Sequence, residues 1–404
     1  MTSIEIIAAT REVENPITAE ELNEEQTILS GKFGGTCYAP EGFATIRTQP
    51  LEKAKRRAES TAERGHHSVF QHSMINMEII CPKMIAMLLN SIGVSNTSEK
   101  SARYTQMEPE TEREQFLYRK WHDILAKEIH RRYSGRFTER EADKLAYENA
   151  RYMISVFSET SMVYSLPFRN IFYVLDWLEG MARNLEKLSG GFNRRLREEV
   201  LSLRTGFLEV VGRENFHDTK NDYFRFLPVQ ATGEPDDDNA EYFGDVYTAR
   251  FLASFAQVAQ EQRHRTTRVK IHLSGETPGE YGYYVPPILA GTPWEREWLE
   301  DIESVGEVYP QGMLVSVTEQ GLFEDFVVKC KERMCGRAQL EIMAVTEQLI
   351  RRFVAHREQL SRKNRERLAR ITREEMPCAR CVYPDYQCRE GCTWGSREAL
   401  TRLI

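Results

Sequence analysis

Between Arg213 and Asp238 the sequence turns polar and acidic, and it culminates in Gly233-Glu234-Pro235-Asp236-Asp237-Asp238. A run that combines glycine, proline and clustered like charges has too little apolar surface to bury, so it reads as a linker near residues 215–240. In a chain of 404 residues this leaves two stretches of comparable length, enough for two ordinary domains or two related halves. The reading sets an N-terminal half at 1–215, a C-terminal half at 216–375 and a cysteine-rich tail at 376–404.

Composition narrows the class. The chain is 41% hydrophobic and 28% charged, as expected of a soluble globular protein, and 54 basic against 61 acidic residues give a net charge of -7. That balance provides no global attraction to nucleic acid or to an acidic membrane, so any anion site must be local. No run approaches 18 apolar residues, and the opening MTSIEIIAATREVENP lacks a basic segment followed by an apolar core. The expectation is a cytoplasmic protein without a membrane partner.

The patterning alternates short strands with longer helices. In the first half it predicts a strand at Ile4–Ala9 and helices at Ala19–Leu29 and Leu51–Arg64, the second ending at Gly65. A strand over Met74–Ile80 gives way at Pro82 to a helix through Leu89, and Asn96–Glu99 reads as a loop. Arg113 to Phe157 reads as long and helical, followed by helices at Phe168–Met181 and Arg194–Phe207. Beyond the linker, Glu241–Gln262 reads as one helix with Phe251, Phe255, Val258 and Ala259 on one face. A turn-rich Ile271–Gly282, a short helix at Trp294–Val305, a helical Leu322–Phe353 broken only at Gly336, and a basic helix Arg357–Arg373 complete the chain.

Several clusters carry chemistry. Arg263-His264-Arg265 emerges at a helix end, where forked guanidinium donors and a titrating imidazole can hold a phosphate or a polarised carbonyl; the plainer alternative is a solvated basic helix end. Ser101 and Arg103, two apart after a polar loop, suit a phosphate. His66, His67 and His72 invite a metal reading, but their spacing matches no zinc signature and no cysteine or acidic partner stands nearby. Arg333, Arg337 and Glu341 repeat at helical spacing, which allows a plain surface pair. In the tail, Cys378, Cys381, Cys388 and Cys392 fall within 15 residues, enough thiolates to surround a zinc ion; an iron–sulfur cluster or unliganded thiols are the alternatives.

These stretches together resemble the flavin-dependent thymidylate synthases, which methylate dUMP with methylenetetrahydrofolate, FAD and NADPH. That family has a Gly-His-x-Ser/Thr-x-x-x-His segment, an Arg-His-Arg followed after a short loop by Ser-x-Arg-Tyr, a later Ala-Arg, and a helix bearing Arg-x5-Gln-x-Glu. Here the pieces occur in two incomplete copies. The first half holds Gly65-His66-His67-Ser68 with His72, then Glu99, Ser101, Arg103 and Tyr104, and Ala150-Arg151, but has Ser91-Ile92-Gly93 where Arg-His-Arg belongs and Leu178 where the helix arginine belongs. The second half holds Gln260, Arg263, His264 and Arg265, then Tyr284-Val285-Pro286-Pro287, Arg333, Gln339 and Glu341, but has Leu273 and Gly275 at the Ser-x-Arg positions and Gly306 at the Ala-Arg arginine. The losses are complementary.

The resemblance implies an α+β fold of two tandem copies with mixed sheets and long helices. It implies FAD as cofactor, held by His66, Ser68, Glu99, Arg263, His264 and Arg265, with NADPH and methylenetetrahydrofolate as co-substrates. It implies dUMP as substrate, held by Gln260, Ser101, Arg103, Arg151 and Arg333, with Arg333 and Arg263 in the catalytic role. In the family the sites lie where subunits of a homotetramer meet, so a homodimer of this fused chain would imitate that assembly. Two alternatives stand beside this one: a noncatalytic nucleotide or flavin sensor, and a flavin enzyme acting on another pyrimidine nucleotide. The thymidylate synthases that attack with a cysteine fit poorly, since no matching motif surrounds Cys330 or Cys335.

Overall fold

The structure is a computed structural model that describes residues 17–36, 39, 43–63, 67–92, 95–100, 107–212, 245–264, 266–272, 279–388 and 392–404. The strand read at Ile4–Ala9 and the linker near 215–240 lie outside the described residues.

Two three-stranded antiparallel sheets organise the chain. In the first, β1 (Met74–Pro82) pairs along its whole length with β3 (Glu159–Pro167), and the short β2 (Asn96–Glu99) pairs with the other edge of β3. In the second, β4 (Val246–Ser254) pairs along its whole length with β6 (Leu314–Leu322), and β5 (Arg268–His272) takes the other edge of β6. The two sheets therefore share one strand order and one pattern of pairing.

They also share their exits. In both sheets the first and third strands run directly into a helix: β1 into α4 (Lys83–Ile92), β3 into α7 (Phe168–Glu186), β4 into α9 (Phe255–Glu261) and β6 into α11 (Phe323–Arg333). Pro82 and Pro167 mark the first two exits, because proline closes a strand and its fixed φ suits a helix start. Ser254 marks the third, its hydroxyl accepting from Gln257 N at 3.1 Å in an N-cap.

The first half also carries α1 (Ala19–Gly35), α3 (Leu51–Glu63), α5 (Glu112–Arg132), α6 (Glu139–Ala150) and α8 (Gly191–Val211). Helices α1, α5 and α6 each begin with a threonine and a glutamate three residues on, in reciprocal capping boxes. The other oxygen of the α5 box, Glu114 Oε1, accepts from Ser155 N at 2.7 Å and so ties the helix to the segment that leads into β3. In the second half, α10 (Trp294–Glu303), α12 (Leu340–Ala355) and α13 (Arg362–Arg370) follow.

The halves are joined through backbone and core. The segments that lead into β3 and β6 run antiparallel to each other, with Val156 N to Tyr309 O at 2.7 Å, Gln311 N to Ile154 O at 2.7 Å and Gly312 N to Tyr152 O at 3.0 Å. One apolar cluster mixes Phe157, Phe192 and Leu196 with Phe255, Val258, Tyr309 and Val317; another mixes Trp121, Leu125 and Met153 with Trp298, Ile302 and Trp394. Phe192 stacks on Phe255 and Trp121 meets Trp298 edge-on, so aromatic pairs span the two halves.

Several sequence expectations change. Glu241–Gln262 is not one helix: within it Val246–Ser254 is a strand, with Tyr247 and Ala253 buried and Val246 and Leu252 exposed. Its true period is two, and the aromatic and β-branched residues Val246, Tyr247, Thr248 and Phe251 were the available signal. Asn96–Glu99 is a strand rather than a loop, and β3 and β6 had no sequence counterpart. Arg113–Phe157 is broken into α5 and α6, and Leu322–Phe353 into α11 and α12, so Arg333 and Glu341 do not share a helix.

Close packing of α1 on α3 makes Gly31 a sensitive position: a Cβ there would lie 2.0 Å from the backbone oxygen of Ala54. Gly31→Ala is expected to destabilise the fold by about 1–3 kcal/mol. Gly180, inside α7, has open space around it. Gly180→Ala is expected to leave stability unchanged or raise it by about 0.5–1 kcal/mol. Chemical denaturation of the two variants beside the parent chain checks both signs.

Candidate active site

Helix α9 is seven residues long and buried along its whole length, from Phe255 to Glu261. Such a helix places the residues that follow it with little freedom. Its anchor is a buried charge cluster: Lys329 of α11 stands between Glu261 and Glu319, donating to Glu319 Oε2 at 2.6 Å and contacting Glu261 Oε1. All three side chains are fully buried, and the Tyr247 hydroxyl donates to Glu319. One ammonium cannot neutralise two carboxylates in so dry a place. Burial raises the Glu261 carboxyl, whereas the Lys329 charge holds Glu319 below the ordinary carboxylate range against its own burial. A single proton on the pair, carried by Glu261, makes the cluster neutral.

Past this anchor the chain turns tightly, with Arg263 N to Gln260 O at 3.2 Å and His264 N to Glu261 O at 3.0 Å. The His264 carbonyl accepts from Thr267 N at 3.0 Å and from its hydroxyl at 2.9 Å. His264 points inward and Arg263 outward. Arg333 Nε donates to His264 Nε2 at 2.7 Å, and Arg333 Nη2 reaches Gln260 O at 3.2 Å, so the guanidinium plane is fixed by two bonds to the turn. An imidazole that accepts from arginine must be neutral at Nε2. Burial first, then the charges of Arg333 and Lys329, push His264 down to about 3.

A second network crosses between the halves. Arg151 Nη2 donates to Gln339 Oε1 at 2.7 Å, and Gln260 Nε2 donates to the same oxygen. Gln339 Nε2 donates to the Tyr152 hydroxyl, which donates to Glu341 Oε2 at 2.9 Å. Glu341 also accepts from Ser254 N at 2.8 Å and Ser254 Oγ at 2.6 Å, at the start of α9. Glu341 is 5% exposed and serves this brace, so the surface pair with Arg337 that its spacing allowed is not formed.

Beside the turn lies a cavity of about 330 Å³ lined by Asn90, Thr97, Glu99 and Arg263. Three of these come from the first half and one from the second. Glu99 is held by Lys83 and by Asn90 Nδ2 at 3.2 Å, and its backbone oxygen accepts a long 3.4 Å contact from Arg263. Burial holds the Lys83 ammonium below the ordinary lysine range against the pull of Glu99, and Arg151 and Arg263 are near enough to push it the same way. Three cations and one carboxylate thus share the region, an arrangement suited to an anion.

Residues 22–179 match the family model described as thymidylate synthase complementing protein. Over that segment the chain is similar to this family. The match carries Lys83, Asn90, Glu99 and Arg151, and it ends before the turn that bears Arg263 and His264. No curated protein matches the chain.

Of the residues that sequence reasoning assigned to the flavin-family site, Glu99, Arg151, Gln260, Arg263, His264 and Arg333 meet around the turn and its cavity. Gln260 and Arg151 are engaged through Gln339, whereas Arg263 faces the cavity directly. His66, Ser101, Arg103 and Arg265 lie outside the described residues, as does the side chain of Ser68. His72 packs against the ring of Phe33. Lys83, Asn90 and Thr97 were missed; a lysine at the head of an otherwise apolar helix was the signal for the first. Among the described residues no three His, Cys, Asp or Glu side chains are gathered into a ready-made metal site, and no helix is long and apolar enough to cross a membrane.

The depressed pKa of His264 fixes a sign. Below pH 6.5 the unfolded chain takes up a proton that the folded chain refuses until about pH 3, so acidification through that window costs stability. The loss from this one group between pH 7.5 and 5 is on the order of 2 kcal/mol. Thermal unfolding of the parent chain and His264→Gln at both pH values should show a smaller acid penalty in the variant.

Proposed function

We propose that this chain is a flavin-dependent thymidylate synthase that converts dUMP to dTMP, with methylenetetrahydrofolate as carbon donor and FAD as cofactor reduced by NADPH. The observation that carries the reading is the meeting of complementary motif residues inside one chain. Glu99 and Arg151 from the family-matched segment stand with Arg263, His264 and Arg333 from the second half. The shared strand order of the two sheets supports tandem duplication and fusion as the origin of the two halves. After such a fusion each half could shed what the other supplies. A homodimer of the chain would then stand in for the family tetramer.

The donor set fits the ligands. A cavity near the lower end of small-molecule sites, with Arg263 on its wall and Lys83 paired to the Glu99 that also lines it, suits a mononucleotide phosphate. Arg263 and the neighbouring Arg265 would grip flavin and nucleotide edges, with His66, Ser68 and Glu99 completing the flavin side. Ser101, Arg103 and Arg151 would take the phosphate and sugar, with Gln260 beside them. Bound reduced flavin supplies the hydride, so no protein nucleophile is required. Arg333, its plane fixed by His264 and Gln260 O, would lie along a uracil carbonyl and stabilise the negative charge that develops there as C5 becomes nucleophilic. His264 is kept neutral by its surroundings; it accepts from Arg333 and aims it, and neither donates nor takes a proton near neutral pH.

Release of tritium from dUMP labelled at C5, in the presence of methylenetetrahydrofolate, FAD and NADPH, tests the reading. Release is expected, and Arg333→Ala or Arg263→Ala should lower it by roughly 10²-fold or more. FAD binding without release from dUMP would reject it in favour of a noncatalytic flavin protein or an enzyme for another pyrimidine nucleotide.

A further inference from the structure

The tail folds back onto the end of α11. Arg380 N donates to Met334 O at 2.6 Å and Arg380 Nη1 to Lys331 O at 2.9 Å, which satisfies carbonyls that a helix C-terminus leaves open. Trp394 lies over Gly336, where a Cβ would come within 2.7 Å of its ring, so a small residue after Cys335 is a condition of docking. Docking has a chemical result. Cys335, Cys381, Cys388 and Cys392 line one cavity of about 140 Å³, and Cys381 is within charge range of the other three.

Cys378, the remaining cysteine of the tail, does not line that cavity. Its thiol points to Ile371 O at 3.7 Å, and the residue packs beside Tyr383 and Leu368 in a separate apolar cluster. The sequence spacing selected Cys378 because it stands three residues before Cys381, whereas Cys335 precedes the tail by more than 40 residues. Only the fold brings Cys335 in.

We propose that Cys335, Cys381, Cys388 and Cys392 bind one structural zinc ion. An all-thiolate set prefers a soft or borderline cation, and no carboxylate is among the described residues that line the cavity to favour calcium or magnesium. Arg337 N donates to Cys335 Sγ at 3.5 Å, an amide-to-sulfur bond that supports a thiolate. Binding converts four thiols and a zinc ion into a tetrathiolate carrying two negative charges and releases four protons, and Arg380 on the cavity wall offsets part of that charge. The sulfurs ring the cavity without sharing a centre, so the ion would draw them in to about 2.3 Å. Cys335 lies two residues beyond Arg333, so the ion would clamp the helix end that presents Arg333 to His264.

Metal analysis by inductively coupled plasma mass spectrometry of the purified full chain is expected to give one zinc per chain. Cys378→Ser should keep it, and Cys335→Ser should lose it to a mild chelator at least tenfold more readily. Should Cys335→Ser fail to fold, the sulfur-to-cobalt charge-transfer intensity of the cobalt-substituted parent chain counts the thiolates directly. Four thiolates in the parent and four in Cys378→Ser support the site. A parent chain without zinc, a disulfide among these cysteines, fewer than four thiolates, or zinc lost in Cys378→Ser but kept in Cys335→Ser would overturn it. None of these readings depends on turnover of dUMP.

Discussion

The candidate site depends on a lysine buried between two glutamates. Lys329 comes from the helix after β6, Glu319 from β6 itself and Glu261 from the end of α9, so three elements of the second half are pinned at one point. Removing the ammonium would leave the Glu319 carboxylate buried beside Glu261 without its counter-charge, which in buried pairs costs about 3–5 kcal/mol. The turn with Arg263 and His264 starts two residues beyond Glu261, and Arg333 ends the helix that carries Lys329. A charge cluster with no access to substrate thereby sets the distance between the two arginines to which the proposed chemistry is assigned.

Around that point the halves are interleaved rather than merely tethered. Backbone bonds pair the segments before β3 and β6, and the side-chain path from Arg151 through Gln339 and Tyr152 to Glu341 and Ser254 crosses from one half to the other and back. Gln339 and Glu341 are absorbed by this brace. They hold α9 and Arg151 in register, and α9 in turn carries the arginine turn.

Sequence patterning made the residues that gather at the turn more legible than the architecture. Arg263, His264, Arg333, Arg151 and Glu99 were identifiable because charged and histidine residues at fixed spacing survive any error in secondary structure. The strand before α9 was not, since Phe251 and Phe255 also fit a helical repeat, and the lone N-cap serine at Ser254 is a weaker break than a proline. Where proline stood at such a junction, at Pro82 and Pro167, the helix start was readable. Lys83 escaped because a buried lysine is recognisable only once Glu99 is seen opposite it. Cys335 escaped because thiols far apart in sequence are joined by the docking of the tail.

The central claim is that one nucleotide site draws on both halves of a single chain. Equilibrium dialysis of dUMP against the full chain, Arg151→Ala and Arg263→Ala tests it most directly. The account predicts one dUMP per chain, with affinity lowered at least tenfold by either substitution. Binding that is lost with one of these arginines and untouched by removal of the other would contradict it.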